Sequence, residues 1–327
     1  VYKRQKVSIR VGKAFQVDLR CVEPHQFGAA LQYFTGSQAH NVHARRIAKE
    51  QGLKINEYGV FKLDDDSQVA GDTEQDVYEA IGLPWIPPEL REDRNEFKQA
   101  TAGQLPELIE EADIVGDLHM HTSATDGQNT LREMADAAIR CGMQYIAITD
   151  HSKRVTMSMG LGPDRLREQW EMIDAIRPEY EGRLVILKGI ECDILESGGM
   201  DLPDDVLAEA DWVLASVHYG QRQPREKITQ RILGAVANEH VNCIAHPTGR
   251  LINRRPPYEV DMDAVLKAAA ANGTLMELNA NPARLDLNDV DLAAAKRLGI
   301  PIVVSTDAHS IDGFDVMRFG VQQARRG

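Results

Sequence analysis

From residue 114 onward, short apolar runs recur, and each one is followed by a stretch with helical periodicity. The seven runs span residues 114–121, 145–151, 185–193, 212–218, 241–246, 275–279 and 302–307. Strands that alternate with helices in this way form parallel sheets. The pattern predicts an α/β fold, most simply a closed barrel with seven units in place of the usual eight. An open doubly wound sheet is the competing topology, and periodicity does not exclude it.

The first crossover helix illustrates the pattern most clearly. Thr130 is a candidate N-cap, and Leu131, Met134 and Ile139 share one face of the helix that follows. Gly142 stands where the helix should end.

Histidines and carboxylates gather at the ends of these apolar runs. In a β/α barrel the carboxyl ends of the strands form one rim, where side chains from different strands converge. Six of the ten histidines lie at or just past such ends, accompanied by three acids. The nine candidates are His119, His121, Asp126, His151, Glu191, His218, His246, Asp307 and His309. One histidine after a strand is more often structural than a ligand, but six at equivalent positions indicate a metal site.

The spacing within the set supports metal binding. His119 and His121 are two apart in a strand, so both side chains point to the same side, and Asp307 and His309 repeat that spacing. Mixed imidazole and carboxylate ligands suit Zn²⁺, Mn²⁺ or Fe²⁺ rather than a pure Mg²⁺ site. Nine candidates exceed what one ion can use, so two or three ions are expected, with Glu191 as a bridging carboxylate. Clustered divalent ions are a common apparatus of phosphoester hydrolysis.

At these residues the chain resembles the polymerase and histidinol phosphatase (PHP) family. The segments that match its successive metal-binding motifs are GDLHMHT, ATDG, ITDHS, GIECDI, SVHYG, IAHPTG and STDAH. The resemblance covers about residues 114–327. It implies a distorted (β/α)₇ barrel that holds up to three Zn or Mn ions on the nine residues. The residues to which a catalytic role is assigned are His119, His121, Glu191, Asp307 and His309.

Three further residues near the motifs are weaker candidates. Arg222 and Arg250 follow strand-end motifs and are candidates to hold substrate phosphate, with ordinary surface arginines as the alternative. Asp117 either orients a ligand from behind or is simply a strand residue.

The N-terminal part carries a second resemblance. YFTGSQAHN, followed by HARR and INEYG, resembles the end of the palm and the thumb of an X-family DNA polymerase. In that family the Tyr-Phe-Thr-Gly-Ser turn lines the nucleotide site. The residues that this implies for nucleotide or DNA contact are Tyr33, Phe34, Gly36, Ser37, Asn41, Arg45 and Arg46. Their chemistry fits, because Gly36 allows close backbone approach and arginines bind phosphate.

Asp18, in VDLR, matches the third metal-binding carboxylate of that polymerase, where Mg or Mn would act in the full-length parent with deoxynucleotides. The other two carboxylates are expected upstream, so polymerisation is not expected of this chain alone. We interpret the chain as a fragment of a bacterial X-family repair polymerase. Residues 1–83 would be the end of the palm and the thumb, 84–113 a Pro-rich and charged linker, and 114–327 the PHP domain.

Charge and cysteine content narrow the setting. The net charge of -13 conceals ten Lys/Arg against four Asp/Glu in residues 1–60, which favours a partner with phosphates at that end. Solvated charged faces are the plainer alternative. The four cysteines form no C-x-x-C pair, which indicates neither a disulfide framework nor a thiolate zinc site, and favours the reduced cytoplasm. No apolar run approaches the length of a membrane span.

The leading hypothesis is a metal-dependent phosphoesterase that acts on DNA as a 3′–5′ exonuclease or 3′-end processing enzyme in repair. Its expected partner is gapped or 3′-ended duplex DNA, bound by a monomer. A small-molecule phosphatase of the histidinol-phosphate type would share the metal site but would not require a thumb. A third hypothesis is a structural metal-bound scaffold for the polymerase, which predicts closed metal shells and no turnover.

Overall fold

The computed structural model describes residues 6–12 and 15–327. The chain divides into two compact units, Val1–Glu107 and Leu108–Gly327, called here the first unit and the second unit. The boundary between them falls inside segment 84–113, which was expected to be a linker.

The first unit contains five strands and four α-helices among its described residues. They are β1 (Lys6–Val11), β2 (Phe15–Arg20), α1 (Phe27–Thr35), α2 (Gln38–Glu50), β3 (Leu53–Asn56), β4 (Gly59–Lys62), β5 (Gln68–Ala70), α3 (Glu74–Glu79) and α4 (Glu96–Thr101). Short 3₁₀ turns occur at Pro24–Gln26 and Pro88–Leu90. Strands β3, β4 and β5 form an antiparallel sheet, and β1 pairs only with β2 within the described part of the chain.

Strands β1 and β2 pair as an antiparallel hairpin. Its apolar cross-strand pairs are Val7 with Leu19, Ile9 with Val17 and Val11 with Phe15. All six side chains are between 41% and 71% exposed. Apolar residues alternate with polar ones along both strands, and the apolar face remains open among the residues that the structure describes.

The segment expected to be a linker contributes to the core of the first unit. Ile86, Phe97 and Ala100 are buried there beside Tyr78. Its charged residues are also used structurally: the buried Arg91 donates two hydrogen bonds to Glu74, at 2.6 and 3.1 Å. The Pro-rich and charged composition predicted a linker, but the few apolar residues of the segment are buried in the core of the first unit. The segment is therefore packed against that unit.

The second unit alternates strands and helices. Its elements are β6 (Gly116–Asp117), α5 (Leu131–Arg140), β7 (Tyr145–Ile148), α6 (Pro163–Tyr180), β8 (Val185–Asp193), α7 (Asp204–Leu207), β9 (Trp212–Ser216), α8 (Arg225–Val236), β10 (Cys243–Ile244), α9 (Met262–Asn272), β11 (Leu275–Asn279), α10 (Asp289–Arg297), β12 (Ile302–Ser305) and α11 (Met317–Arg326). Short 3₁₀ turns occur at Glu111–Asp113, Thr156–Ser158 and Ile311–Val316.

The seven strands run parallel in sequential order from β6 to β12. Contacts just past the outer strands nearly close the sheet into a barrel: Met120 pairs with Ala308, and the His121 amide donates to the Ala308 carbonyl at 2.8 Å. The predicted seven-stranded barrel is confirmed, and the open doubly wound alternative is wrong. The closure gathers the carboxyl ends of all seven strands into one rim.

The helices of the second unit cover the barrel with apolar faces. Helix α5 begins at the predicted cap, where the Thr130 hydroxyl accepts from the Glu133 amide and the Glu133 carboxylate accepts from the Thr130 amide. Met134 is fully buried, and Gly142 follows the helix at a φ of +78°. Among the described residues, no helix is long and apolar enough to cross a membrane.

Candidate metal centre

All nine predicted ligand residues lie at or just past strand ends on the rim of the barrel. His119 and His121 follow β6, His151 follows β7, and Glu191 lies near the end of β8. His218, His246 and Asp307 follow β9, β10 and β12. Most are buried, whereas Asp126, His218 and His309 are partly or largely open to solvent. The cluster therefore has a buried floor and one accessible side.

Donor atoms of eight of these residues fall into three groups, each within 4.8 Å, that could hold a metal ion. The groups are His121, Asp126, His151 and His309; His119, His121 and Asp307; and His151, Glu191 and His218. His121 and His151 each belong to two groups, so the three groups form one continuous centre. His246, the ninth residue, joins it through Nε2, which lies 2.8 Å from a Glu191 oxygen.

Glu191 occupies the middle of the centre. Its Oε1 lies 2.8 Å from His246 and 3.4 Å from His218, whereas its Oε2 lies 2.8 Å from His151 and 3.5 Å from His119. The two carboxylate oxygens thus face different histidines. Such an arrangement suits a carboxylate that touches more than one ion.

The donor chemistry of the centre fits divalent cations. The His119 Nε2 and the His121 Nδ1 are buried and, among the described residues, have no hydrogen-bond partner. Buried polar atoms are rarely left unpaired in proteins. Lone pairs of imidazole and carboxylate that converge within a few ångströms have the geometry of metal ligands.

The pKa shifts of the ligand side chains also indicate a site for cations. Burial opposes the charged form of His151, yet the Glu191 and Asp126 carboxylates outweigh it and raise its pKa to about 10. Burial would raise the pKa of Glu191, but His218, His151 and other histidines hold it well below its usual range. His121 is the exception, because burial and the neighbouring His151 lower its pKa to about 3. The centre thus concentrates buried negative charge that calls for cations.

Glu277, in the middle of β11, was missed by the reasoning from sequence. Its Oε1 lies 2.6 Å from the His119 Nδ1 and accepts from the Ser305 hydroxyl at 2.6 Å. Its Oε2 accepts from the His246 amide at 2.5 Å. The residue is fully buried. It holds the His119 ring so that Nε2 faces the centre, as carboxylates behind metal-binding histidines commonly do.

Two other acids support ligands without belonging to the nine. Asp193 lies 3.2 Å from the His218 Nδ1 and accepts from the His218 amide. Asp150 accepts from the Thr122 amide and hydroxyl and from the Thr125 hydroxyl, and so fixes the loop that carries Asp126. Asp193 ends β8 and Asp150 follows β7, so both stand at strand ends like the nine ligand residues. Position at a strand end does not by itself distinguish a supporting acid from an ordinary strand residue.

The backbone is strained at two ligand positions. His246 has a φ of +30° and Asp307 a φ of +55°, in the region that non-glycine residues seldom adopt. Such conformations persist only where surrounding contacts hold them, and they cluster at functional sites. At Asp307 the contacts include the Asn279 amide at 3.1 Å and Arg284 at 3.4 Å.

The weaker candidates have distinct environments. Asp117 accepts from the Thr306 amide and hydroxyl, at 3.2 and 2.5 Å, and from the His119 amide at 3.2 Å. It therefore ties the first strand to the last and supports His119 through its backbone. Arg250 donates to the carbonyls of Arg284 and Leu285, which engages its guanidinium in the fold. Arg222 lines a cavity beside His218.

The polymerase-like residues of the first unit lie on α1, on α2 and at the turn between them. Ser37 caps α2, with its hydroxyl accepting from the His40 amide, and Gly36 has a φ of +74°. The Tyr33 and Phe34 rings meet edge to face at 5.0 Å. Asn41 is buried, and its side chain bonds to Gln32 and to the Tyr33 carbonyl. Its amide is therefore engaged within the unit.

The basic residues around this turn flank the aromatic rings. The Arg45 guanidinium lies 5.6 Å from the Tyr33 ring centre, and Arg20 lies 4.3 Å from that of Phe34. Arg46 contacts the His43 ring at 2.9 Å. Arginines beside the partly exposed Tyr33 ring and the exposed Phe34 ring form a surface that suits phosphates and bases.

Asp18 lies on β2 of the first unit. Its Oδ2 forms an ion pair with Lys6 at 2.7 Å, and its Oδ1 accepts from Gln16 at 3.0 Å. In the described part of the chain, Asp18 belongs to none of the metal-binding groups.

Comparison with known proteins identifies both parts of the chain. Residues 30–92 match the DNA polymerase beta thumb, and residues 117–281 match the PHP domain. The PHP match covers the first six of the seven barrel strands and part of the loop that follows the sixth.

Full-length relatives match the chain as well. The "DNA polymerase/3′-5′ exonuclease PolX" of Bacillus subtilis is 47% identical over 324 residues, which is 98% of this chain and 56% of that protein. The chain thus spans little more than half the length of this relative. A "probable phosphatase" of Thermoanaerobacter is 33% identical over 218 residues, 63% of this chain and 82% of that protein.

A solved structure adds a weaker match. A histidinol phosphate phosphatase of Lactococcus lactis, crystallised with Zn, L-histidinol and phosphate, is 20% identical with a TM-score of 0.47, and the match covers 64% of this chain and 93% of that one.

Because the PHP family match covers half of its length, the chain belongs to the PHP domain family. It joins that domain to a polymerase beta thumb and is a homologue of bacterial X-family DNA polymerases.

Proposed function

We propose that this chain is a metal-dependent phosphoesterase that hydrolyses DNA from the 3′ end. The observation that carries the proposal is the rim centre of nine residues, in which His121 and His151 each serve two potential ion sites. Centres that hold more than one divalent ion are common in phosphoester hydrolysis. The thumb supports DNA as the substrate, and the B. subtilis relative is named a 3′–5′ exonuclease.

The ligand set that we propose is all nine residues, with Glu191 shared between ions. Imidazole and carboxylate together favour Zn²⁺ or Mn²⁺, or Fe²⁺, and two or three ions fit the three groups. Bound ions would supply a water of lowered pKa and neutralise the charge that develops on phosphate oxygens. Mg²⁺ or Mn²⁺ and deoxynucleotides belong to polymerisation by a longer parent, for which Asp18 would be one carboxylate.

The chain's own groups would orient these ligands and the substrate. Glu277 fixes the tautomer of His119, and Asp193 does the same for His218. Asp126 and His309, at the open edge, would be the first ligands that an entering phosphodiester meets. Tyr33, Phe34, Arg45 and the turn around them would hold the DNA duplex.

The test uses 5′-labelled DNA, protein loaded with Mn²⁺, and the variants His119→Ala and Asp126→Asn. We expect stepwise shortening from the 3′ end by the parent protein and a loss of at least about 100-fold in each variant. The exposed Asp312→Asn serves as a matched control, since Asp312 lies outside the centre. Asp126 is exposed, so its variant keeps the test sharp if the buried His119 variant fails to fold.

A small-molecule phosphatase is the second candidate, favoured by the relatives named as probable phosphatases that match the second unit. It predicts faster hydrolysis of p-nitrophenyl phosphate than of DNA, with the same dependence on Asp126. Absence of turnover on either substrate, with metal bound, would instead favour a scaffold for a polymerase.

A further inference from the structure

A cavity of about 920 Å³ opens directly beside the metal centre. His218, a member of the centre, forms part of its wall, and the rest comes from the loops at residues 219–223 and 254–259. Its volume lies in the range of pockets that enclose an organic ligand of drug size. A substrate that reaches the metals therefore has room to extend sideways into a defined space.

The cavity is basic in a part of the chain that is otherwise acidic. Arg222, Arg254 and Arg255 line it against a single acid, Glu259. Residues 111–327 together carry a net charge of about -10. Such a local reversal of sign favours an anionic ligand over a neutral one.

Two of these arginines have guanidinium groups to offer. Arg255 donates to the Gly249 carbonyl at 3.0 and 2.6 Å and is engaged in the loop. The side chains of Arg222 and Arg254 are exposed and make no hydrogen bond or ion pair with any residue that the structure describes. The guanidinium forks are therefore available to bind phosphate oxygens in pairs.

The walls are held in place without a ligand. The buried Arg231 donates to the Tyr219 carbonyl and to the Gln223 side chain, each at 3.0 Å, and so fixes the first loop. The Tyr258 hydroxyl donates to the Pro247 carbonyl at 2.7 Å and anchors the second loop. A cavity whose walls are already ordered loses little conformational entropy when it binds.

We propose that this cavity binds the nucleotide next to the scissile phosphodiester, with Arg222 and Arg254 on phosphate oxygens of the same DNA strand. The proposal rests on the function proposed above and names how the site would select a polynucleotide. A small phosphate monoester bound at the metals would carry no second phosphate to meet Arg254. A DNA strand carries one at every nucleotide, so binding there favours DNA over monoesters.

The experiment compares Arg254→Ala, the Arg222→Ala/Arg254→Ala double variant and Arg140→Ala, an exposed arginine on α5 that does not line the cavity. Each protein is assayed with Mn²⁺ on a 5′-labelled single-stranded oligonucleotide and on p-nitrophenyl phosphate. We expect kcat/KM on the oligonucleotide to fall about 10-fold in Arg254→Ala and further in the double variant, with Arg140→Ala unchanged. In the same variant, the factor by which kcat/KM falls on p-nitrophenyl phosphate should be at least about tenfold smaller than the factor on the oligonucleotide. Equal losses on the two substrates, or no loss on the oligonucleotide, would overturn the proposal.

Salt dependence gives a second readout. Removing one arginine that binds a phosphate should make the slope of log affinity against log salt shallower by about 0.7 for a single strand. This slope is measured on the metal-loaded protein by fluorescence anisotropy of a labelled oligonucleotide whose phosphorothioate linkages resist hydrolysis, so it needs no turnover. If the parent protein does not cleave DNA, the proposed function fails, while an unchanged affinity and slope in Arg254→Ala would separately overturn the cavity assignment.

Discussion

Replacing Glu277 by glutamine should weaken metal binding without unfolding the barrel. The carboxylate accepts three hydrogen bonds, from the ring of His119, the amide of His246 and the hydroxyl of Ser305, at distances of 2.5 to 2.6 Å. Glutamine has nearly the same shape, but one end of its amide donates rather than accepts. At least one of the three donors would then face an N–H group.

The magnitude follows from that geometry. Leaving one buried donor unsatisfied costs about 1–3 kcal/mol. The loss of negative charge behind His119 also makes its Nε2 lone pair a weaker ligand for a metal ion. Changes of this kind typically cost about 10–100-fold in metal affinity or activity. We therefore expect the Kd of the most affected ion to rise by about 10–100-fold, which corresponds to about 1.4–2.7 kcal/mol.

The assay is competition for Mn²⁺ between the protein and a chromophoric chelator. Glu239→Gln, at an exposed position in the loop before β10, is the matched control and should leave the Kd unchanged. Circular dichroism would establish that Glu277→Gln is folded. If the folded variant bound every ion within about twofold of the parent, the role assigned to Glu277 would be refuted.

Four further predictions concern stability and the loops of the centre. Chelation with EDTA should lower the melting temperature of the second unit in calorimetry, because an ion at about 100 times its Kd stabilises the folded state by about 2.7 kcal/mol; an unchanged transition would count against bound ions. Arg91→Ala should destabilise the first unit to urea by about 3–5 kcal/mol, because it leaves the buried Glu74 carboxylate without its ion-pair partner. Burial disfavours the charged form of Glu74, but hydrogen bonds from Arg91 and Trp85 outweigh it and lower its pKa below the ordinary 4.5. The ionised Glu74 carboxylate therefore stabilises the folded first unit fully above pH 4.5, and this stabilisation is lost as the pH falls and the carboxylate is protonated. In Glu74→Gln, the melting temperature of the first unit should consequently fall less steeply with decreasing pH. Asp150→Asn should loosen the loop that holds Asp126 and weaken one ion about 10-fold in the chelator assay.

Local patterns in the sequence determined the architecture and the position of the centre. The alternation of apolar runs with helical stretches predicted the parallel barrel because strand and helix bury their apolar faces with different periods. The N-cap at Thr130 and the stop at Gly142 were predictable because both depend on adjacent residues alone. The nine rim residues were identifiable because parallel strands end on one rim, so their terminal side chains converge whatever the details of packing.

The tertiary structure alone decided which residues support the centre and which are available to a substrate. Glu277 lies 158 residues from His119 along the chain, and nothing near it in sequence distinguishes it from any other acid within a strand. Asp117 links the first strand to the end of the last one, and Arg250 binds backbone carbonyls. Neither role was predictable from the sequence, because these hydrogen-bond partners depend on how distant segments pack. Packing also placed apolar residues of the charged segment 84–113 in the core of the first unit. The periodicity of apolar residues in the sequence predicts which face of a strand or helix a side chain lies on. The hydrogen-bond partners of that side chain depend on how the whole barrel closes.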